Sequence, residues 1–145
     1  MADHVLLDEK LAMQFEDCIV SFEGTTRCEL RIHIEEENDT PVLDRAAFVF
    51  DHLGMRKTKE RNALLIYIQV YPSSLAIIGD IGINQHVNEM DWETWKNTLI
   101  ASFKKEDYYK GISEATLAMA EKLMVAYPWN ESDKDELSNT ISRAK

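Results

Sequence analysis

Residues 62–80 read NALLIYIQVYPSSLAIIGD, two apolar runs held apart by the four residues YPSS. Four residues between strands permit only a hairpin, because a parallel crossover needs a dozen or more. The first run is apolar at almost every position, which suits a central strand covered on both faces. It is also far short of the ~20 residues that span a bilayer. The chain is thereby committed to a sheet with a doubly covered centre, and its other segments must supply both covers.

The flanking patterns meet that requirement. LLDEKLAMQFEDCIVSFEG places Leu7, Leu11, Phe15, Cys18 and Phe22 at helical spacing, and Gly24 marks a stop. CELRIHIE alternates Leu30, Ile32 and Ile34 with Glu29, Arg31, His33 and Glu35, the period of a half-buried strand. A second helix follows the turn EEENDTP, with Thr40 as cap, Pro41 at its first position, and Leu43, Ala46, Ala47, Phe50 and Leu53 on one face. After the hairpin come two more helices, one striped by Trp92, Trp95, Leu99 and Phe103, the other by Ile112, Ala115, Met119, Leu123 and Tyr127. The order is α-β-α-β-β-α-α. The expected fold is an α/β three-layer α/β/α sandwich with a small mixed sheet flanked by helices on both faces. A single domain over 1–145 is expected, its core at about 6–128 and a polar tail at 129–145 with room for a short closing helix.

Composition narrows the function classes. A net charge of −10 repels nucleic acid and anionic lipid, and suits cations, although acidity also serves solubility alone. The opening MADHVLLDEK lacks the basic and apolar regions of a secretory signal, so a cytoplasmic protein without a membrane anchor is expected. Cys18 and Cys28 form no Cys-x-x-Cys pair and read as small buried residues.

The apolar run LAII ends in Gly79-Asp80-Ile81-Gly82, a carboxylate between two glycines. In a hairpin, the end of the second strand lies beside the start of the first, so Asp80 falls near Arg61 and Asn62. A parallel crossover brings the entry of the earlier strand, with Thr25 and Thr26, to the same rim. Gly79 and Gly82 leave room for another group to approach the backbone. Asp-x-Gly after a strand is also ordinary turn chemistry, and Arg61 is a ready counter-ion for Asp80. Asp107 sits where it can cap the last long helix.

Several machineries are excluded by spacing. Asp80 opens no Asp-x-Asp, since Gly82 stands two positions after it, and there is no Cys-x5-Arg, no Gly-x4-Gly-Lys loop, no His-Glu-x-x-His and no Gly-x-Ser-x-Gly. The four histidines share no ligand spacing, and DKDEL lacks the glycine and glutamate of an EF-hand. Ser132 and Asp135 suit a capping box instead.

Five stretches together, TTRCELRIHIE, RNALLIYIQV, AIIGDIGI, DWETWKNTLIASFKKEDYYKGI and YPWNESDKDELSNTIS, resemble the TPM domain family of thylakoid acid-phosphatase-like and photosystem repair proteins. The similarity runs from about residue 6 to 142. It implies a three-layer α/β/α fold with a rim pocket that binds divalent cations, and in some members acid phosphatase activity. Carried over by motif, the metal ligands would be Asp80, Asn62, Thr26 and Asp107, with Asp135 and Glu136 of the tail, and Arg61 would contact phosphate. Two departures stand out. Many relatives carry a signal peptide and membrane anchor, neither visible here, and Arg27 and Cys28 replace the usual small residues.

Calcium takes six to eight oxygen ligands, and carboxylate, amide and hydroxyl groups qualify. A phosphatase would further need an activated water or nucleophile, and His86 is the nearest imidazole. The expected function is therefore divalent-cation binding without turnover. Calcium is the expected ion, with magnesium or manganese as alternatives. A metal-dependent acid phosphatase and a protein-interaction module are the other readings. The expected partners are a divalent cation and a protein, on a monomer.

Overall fold

The structure, a computed structural model, describes residues 4–130 and the backbone of 142–144. Its order is α1 (Glu9–Glu23), β1 (Glu29–Glu37), α2 (Val42–His52), β2 (Ala63–Tyr71), β3 (Ser74–Gly79), a single turn α3 (Ile81–Asn84), α4 (Glu89–Lys104), α5 (Tyr108–Ala126) and β4 (Ser142–Ala144). Short 3-10 turns at Val5–Leu7 and Met55–Lys57 precede α1 and β2.

The sheet order is β3-β2-β1-β4. β1 and β2 run parallel from Glu29↔Ala63, so α2 is the crossover between them. β2 and β3 form the antiparallel hairpin that the short YPSS spacer demands. β4 lies parallel to β1 with His33 opposite Ser142, and the closing helix expected in the polar tail falls on residues outside those described. The expected cap at Ser132 and Asp135 lies outside the described residues.

Strand alternation divides the core in two. Leu30, Ile32, Ile34, Leu64, Ile66, Ile68 and Leu75 pack with α1, α4 and α5, around the fully buried Phe15, Ile19 and Leu99. Ala63, Leu65, Tyr67 and Ala76 pack on the opposite face against Ala46, Val49 and Phe50 of α2. This is the expected sandwich.

Three local expectations shift. α2 starts one residue late, with Pro41 as N-cap and Thr40 outside the helix. Its buried face is Ala46, Val49 and Phe50, while Leu43 is 62% exposed and Ala47 is exposed too. The face turns because α2 packs on β3 and β2, where Tyr67 and Ala76 need cover. Finally, β1 is not polar outward: Glu29, His33 and Glu35 are buried alongside its apolar face. Arg45 of α2 and Tyr67 of β2 both reach Glu35, which makes burial of that polar row tolerable.

Candidate functional site

The rim where β1 and β2 begin and β3 ends is assembled by backbone pairing. The Asp80 N–H donates to the Ala63 carbonyl at 3.0 Å, and the Glu29 N–H donates to that of Asn62 at 3.1 Å. These bonds fix Asp80, Asn62 and the Thr26–Cys28 entry at one end of the sheet. Asp80 then starts α3: its carboxylate accepts the Ile81 N–H at 2.8 Å, satisfying one of the donors left open at a helix start.

Asp80 is 5% exposed and its charge is met by Arg61, which donates through Nε at 2.7 Å and through a terminal nitrogen at 2.8 Å. That bidentate fork raises the Arg61 guanidinium above its ordinary value, its hydrogen bonds to Asp80 being the main cause. Arg61 adopts φ +53°, the left-handed region that a side-chain-bearing residue seldom occupies. The Thr58 carbonyl accepts the Arg61 N–H, and the Thr58 hydroxyl accepts that of Asn62, which hold this conformation. Beside the pair lies a depression of about 210 Å³, lined by Ala47, Phe50, Arg56, Ile78, Ile81 and Asn84 as well as the pair itself.

The glycines do not leave open space. A Cβ on Gly82 would stand 2.3 Å from the Glu60 carbonyl oxygen, 2.6 Å from that of Arg61 and 2.9 Å from the Tyr127 hydroxyl. A Cβ on Gly79 would meet Ile83 and Trp92 at 2.7 Å. The group that approaches the backbone at Gly82 is thus the chain's own loop at 60–61, and the expected access for a ligand is filled by packing.

The other expected ligands fall elsewhere. Thr26 is fully buried and its hydroxyl donates to the Tyr127 carbonyl at 2.5 Å. The Asn62 amide nitrogen donates to the Arg27 carbonyl at 3.1 Å, while its Oδ1 is buried without a hydrogen-bond partner among the described residues. No hydrogen bond among the described residues joins Asn62 or Thr26 to Asp80. Asp107 is exposed at the N-terminal end of α5, about 30 Å along the helix from Tyr127 and the rim. It occupies the N-cap position but makes no side-chain cap bond. Asp135 and Glu136 lie outside the described residues. Arg27 pairs with Glu60 at 2.7 Å and lies over the Tyr127 ring at 5.3 Å.

Tyr127 is the rim residue that sequence reasoning read only as core. Its carbonyl accepts Thr26, and its hydroxyl donates to the Gly82 carbonyl at 2.8 Å. Its place one residue before Pro128, past the last helical turn, was the available signal. His86 stands edge-on to its ring at 5.3 Å. The thiols offer no nucleophile: burial pushes Cys28 up to about 12 and Cys18 up to about 11.

The donor set can be tested against a hard cation. Asp80 and Asn62 supply carboxylate and amide oxygens, the right types, but no hydrogen bond among the described residues joins them, and Asp80 already accepts two hydrogen bonds from Arg61 and one from the Ile81 N–H. Among the described residues no cluster of three or more His, Cys, Asp or Glu side chains could hold a metal. As placed, these residues do not form a coordination shell.

The described residues thus make a three-layer sandwich closed at one rim by the Arg61–Asp80 pair, its carboxylate buried and its guanidinium part-exposed. The chain belongs to the TPM domain family, whose model matches residues 2–122. It is similar to the BA42 protein of the psychrophilic bacterium Bizionia argentinensis, at 33% identity over 99% of both chains and a TM-score of 0.90. The N-terminal domain of a P. gingivalis protein shares the fold at 16% identity and a TM-score of 0.65, covering 84% of this chain and 79% of that one. The N-terminal domain of the cg2496 protein of Corynebacterium glutamicum does so at 11% and 0.58, covering 95% and 80%. No curated protein sequence matches. No helix among the described residues is long and apolar enough to cross a membrane.

Proposed function

We propose that this domain binds a divalent cation, calcium by preference, at its rim without catalytic turnover, and that the cation competes with Arg61 for Asp80. The observation that carries this reading is the Arg61–Asp80 pair itself. Asp80 is a buried carboxylate whose cationic partner is 36% exposed at the side chain, beside an open depression. Replacing one cation by another at such a carboxylate leaves no buried charge uncompensated, which is the costly alternative. The exchange needs only a side-chain rotation of Arg61 into solvent. Water, or Asp135 and Glu136 as the family resemblance suggests, would complete the shell. Among the described residues the thiols lend the phosphatase alternative no support, since burial raises both Cys18 and Cys28.

A calcium titration followed by amide NMR tests this. Shifts should centre on Arg61, Asp80 and Ile81, and calcium at a hundredfold excess over its dissociation constant should add about 2.7 kcal/mol of stability. Asp80→Asn should remove both. Identical melting curves in calcium and in chelator would overturn the reading.

A further inference from the structure

On the β3 side, the sheet ends in an edge whose outward backbone groups are only partly bonded among the described residues. β3 is its outer strand, and its ladder phase follows from the rim bond. Asp80 lies opposite Ala63 and donates to its carbonyl, so that pair is hydrogen-bonded, and the bonding alternates along the strand. Ile78, Ala76 and Ser74 therefore turn their backbone groups toward β2, while Gly79, Ile77 and Leu75 turn theirs outward. The outward Gly79 carbonyl accepts the Asn84 side chain at 3.0 Å. Among the described residues nothing bonds the outward groups of Leu75 and Ile77. An edge of this kind is a template for another strand.

The surroundings of that edge say what kind of strand it suits. A groove of about 360 Å³ runs beside the start of β3, with Leu75, Val42, Ile100 and Phe103 on its walls. Ile77, Ile100 and Phe103 on one sheet face, and Val42 and Ile78 on the other, pack against the two cores yet remain only partly buried. An added strand would complete both layers at once. The groove also carries Lys96 and Lys104 of α4, and no described carboxylate forms an ion pair with either. Two cations without an ion-pair partner among the described residues, in a chain of net charge −10, select against a second copy approaching edge to edge and in favour of an acidic segment. Their spacing is informative. Eight helical residues separate them by about 12 Å, close to the ~13.5 Å between residues i and i+4 on one face of a strand.

We propose that the β3 edge docks an extended segment of a partner protein by strand addition, with acidic side chains at i and i+4 facing Lys96 and Lys104 and an apolar one at i+2 resting on Ile100 and Phe103. Backbone pairing to Leu75 and Ile77 supplies the binding, and the charge spacing supplies the selection. The site lies on α4 and the outer edge of β3, and its occupancy does not depend on a cation at Asp80.

The test uses the blocked peptide acetyl-Thr-Glu-Thr-Val-Thr-Glu-Thr-amide titrated into the full chain. Amide shifts should appear at Leu75 and Ile77, whose fast hydrogen exchange should slow on saturation. N-methylation of one alternate set of peptide amides should abolish binding, and methylation of the other set should leave it intact. Lys96→Glu with Lys104→Glu should weaken binding roughly tenfold or more, and these exposed changes do not touch the core. Shifts located elsewhere, equal tolerance of both methylated peptides, or equal binding by a peptide with lysine in place of glutamate would each overturn the proposal. So would the same edge shifts arising from protein concentration alone, since a second copy would then be the occupant.

Discussion

Two buried carboxylates on this sheet are each held by an arginine, and their settings differ. Glu35, in the middle of β1, is 2% exposed and accepts bonds from Arg45 at 2.9 Å and from the Tyr67 hydroxyl at 2.6 Å, with His33 Nε2 at 3.5 Å. Asp80 ends β3 at the rim and has Arg61 and one backbone N–H. Arg45 reaches down from a helix that itself packs on the sheet. Arg61 projects from a loop beside a depression. A carboxylate surrounded on several sides acts as a fixed part of the fold, whereas one with a single removable cation can exchange it. The same pairing chemistry thus serves architecture at one position and, in the proposed function, ligand exchange at the other.

That contrast can be broken first at Glu35. Glu35→Gln leaves the Arg45 charge half-buried and is expected to cost about 3 kcal/mol in urea unfolding, with the calcium response retained. A loss no larger than that of Asp80→Asn would erase the distinction. The complementary experiment is Asp80→Asn, which should keep the fold, with about 1 kcal/mol lost at the α3 cap, yet abolish the roughly 2.7 kcal/mol gained in excess calcium. Gly82→Ala would sharpen the rim side. Its methyl group has no space against the Glu60 and Arg61 carbonyls, so a loss of about 2 kcal/mol is expected, with displaced Arg61 and Asp80 signals in amide NMR. Tyr67→Phe, which removes one donor to Glu35, should cost about 1 kcal/mol by the same unfolding assay.

Acid should act on the Glu35 side more gently still, and its sign can be worked out. Burial alone would raise the Glu35 carboxyl, but the Arg45 and Tyr67 hydrogen bonds outweigh it and hold the group below its ordinary range. Its contribution is complete above the unfolded value near 4.3 and is lost as pH falls through the lower folded value. Burial lowers His33 despite Glu35 beside it. The unfolded chain therefore takes up that proton first, and stability declines as pH drops below about 6.5. Unfolding midpoints measured from pH 7 to pH 4 should fall throughout; a rise toward pH 5.5 would show that His33 is charged in the fold.

The sandwich was legible because the YPSS spacer permits only a hairpin and because β2 is apolar on both faces. The neighbourhood of Asp80 and Arg61 was legible for the same reason, since a hairpin must bring residue 80 to residue 63. Where reading failed, a tertiary partner decided. The polar row of β1 looks solvated by its alternation, and only Arg45 and Tyr67, distant in sequence, explain its burial. Gly82 looks like an opening because a glycine is identical in sequence whether a ligand or the chain's own carbonyls approach it. Asp107 looked like a rim residue by motif order, and the length of α5 carries it to the opposite end. Tyr127 was hidden in a core stripe, its polar atoms invisible to periodicity.

Tyr127 also has a consequence for the order in which the protein is made. It binds Thr26 and Gly82, which precede it by 101 and 45 residues. During synthesis the hairpin and the crossover can pair while the ribosome is still extending α5, but the loop at 60–61 has no lid over Gly82 until residue 127 emerges. The rim is therefore completed after the three strands β1, β2 and β3 that carry it. A nascent or shortened chain that stops at residue 122 would hold its strands without the tyrosine that fastens their end.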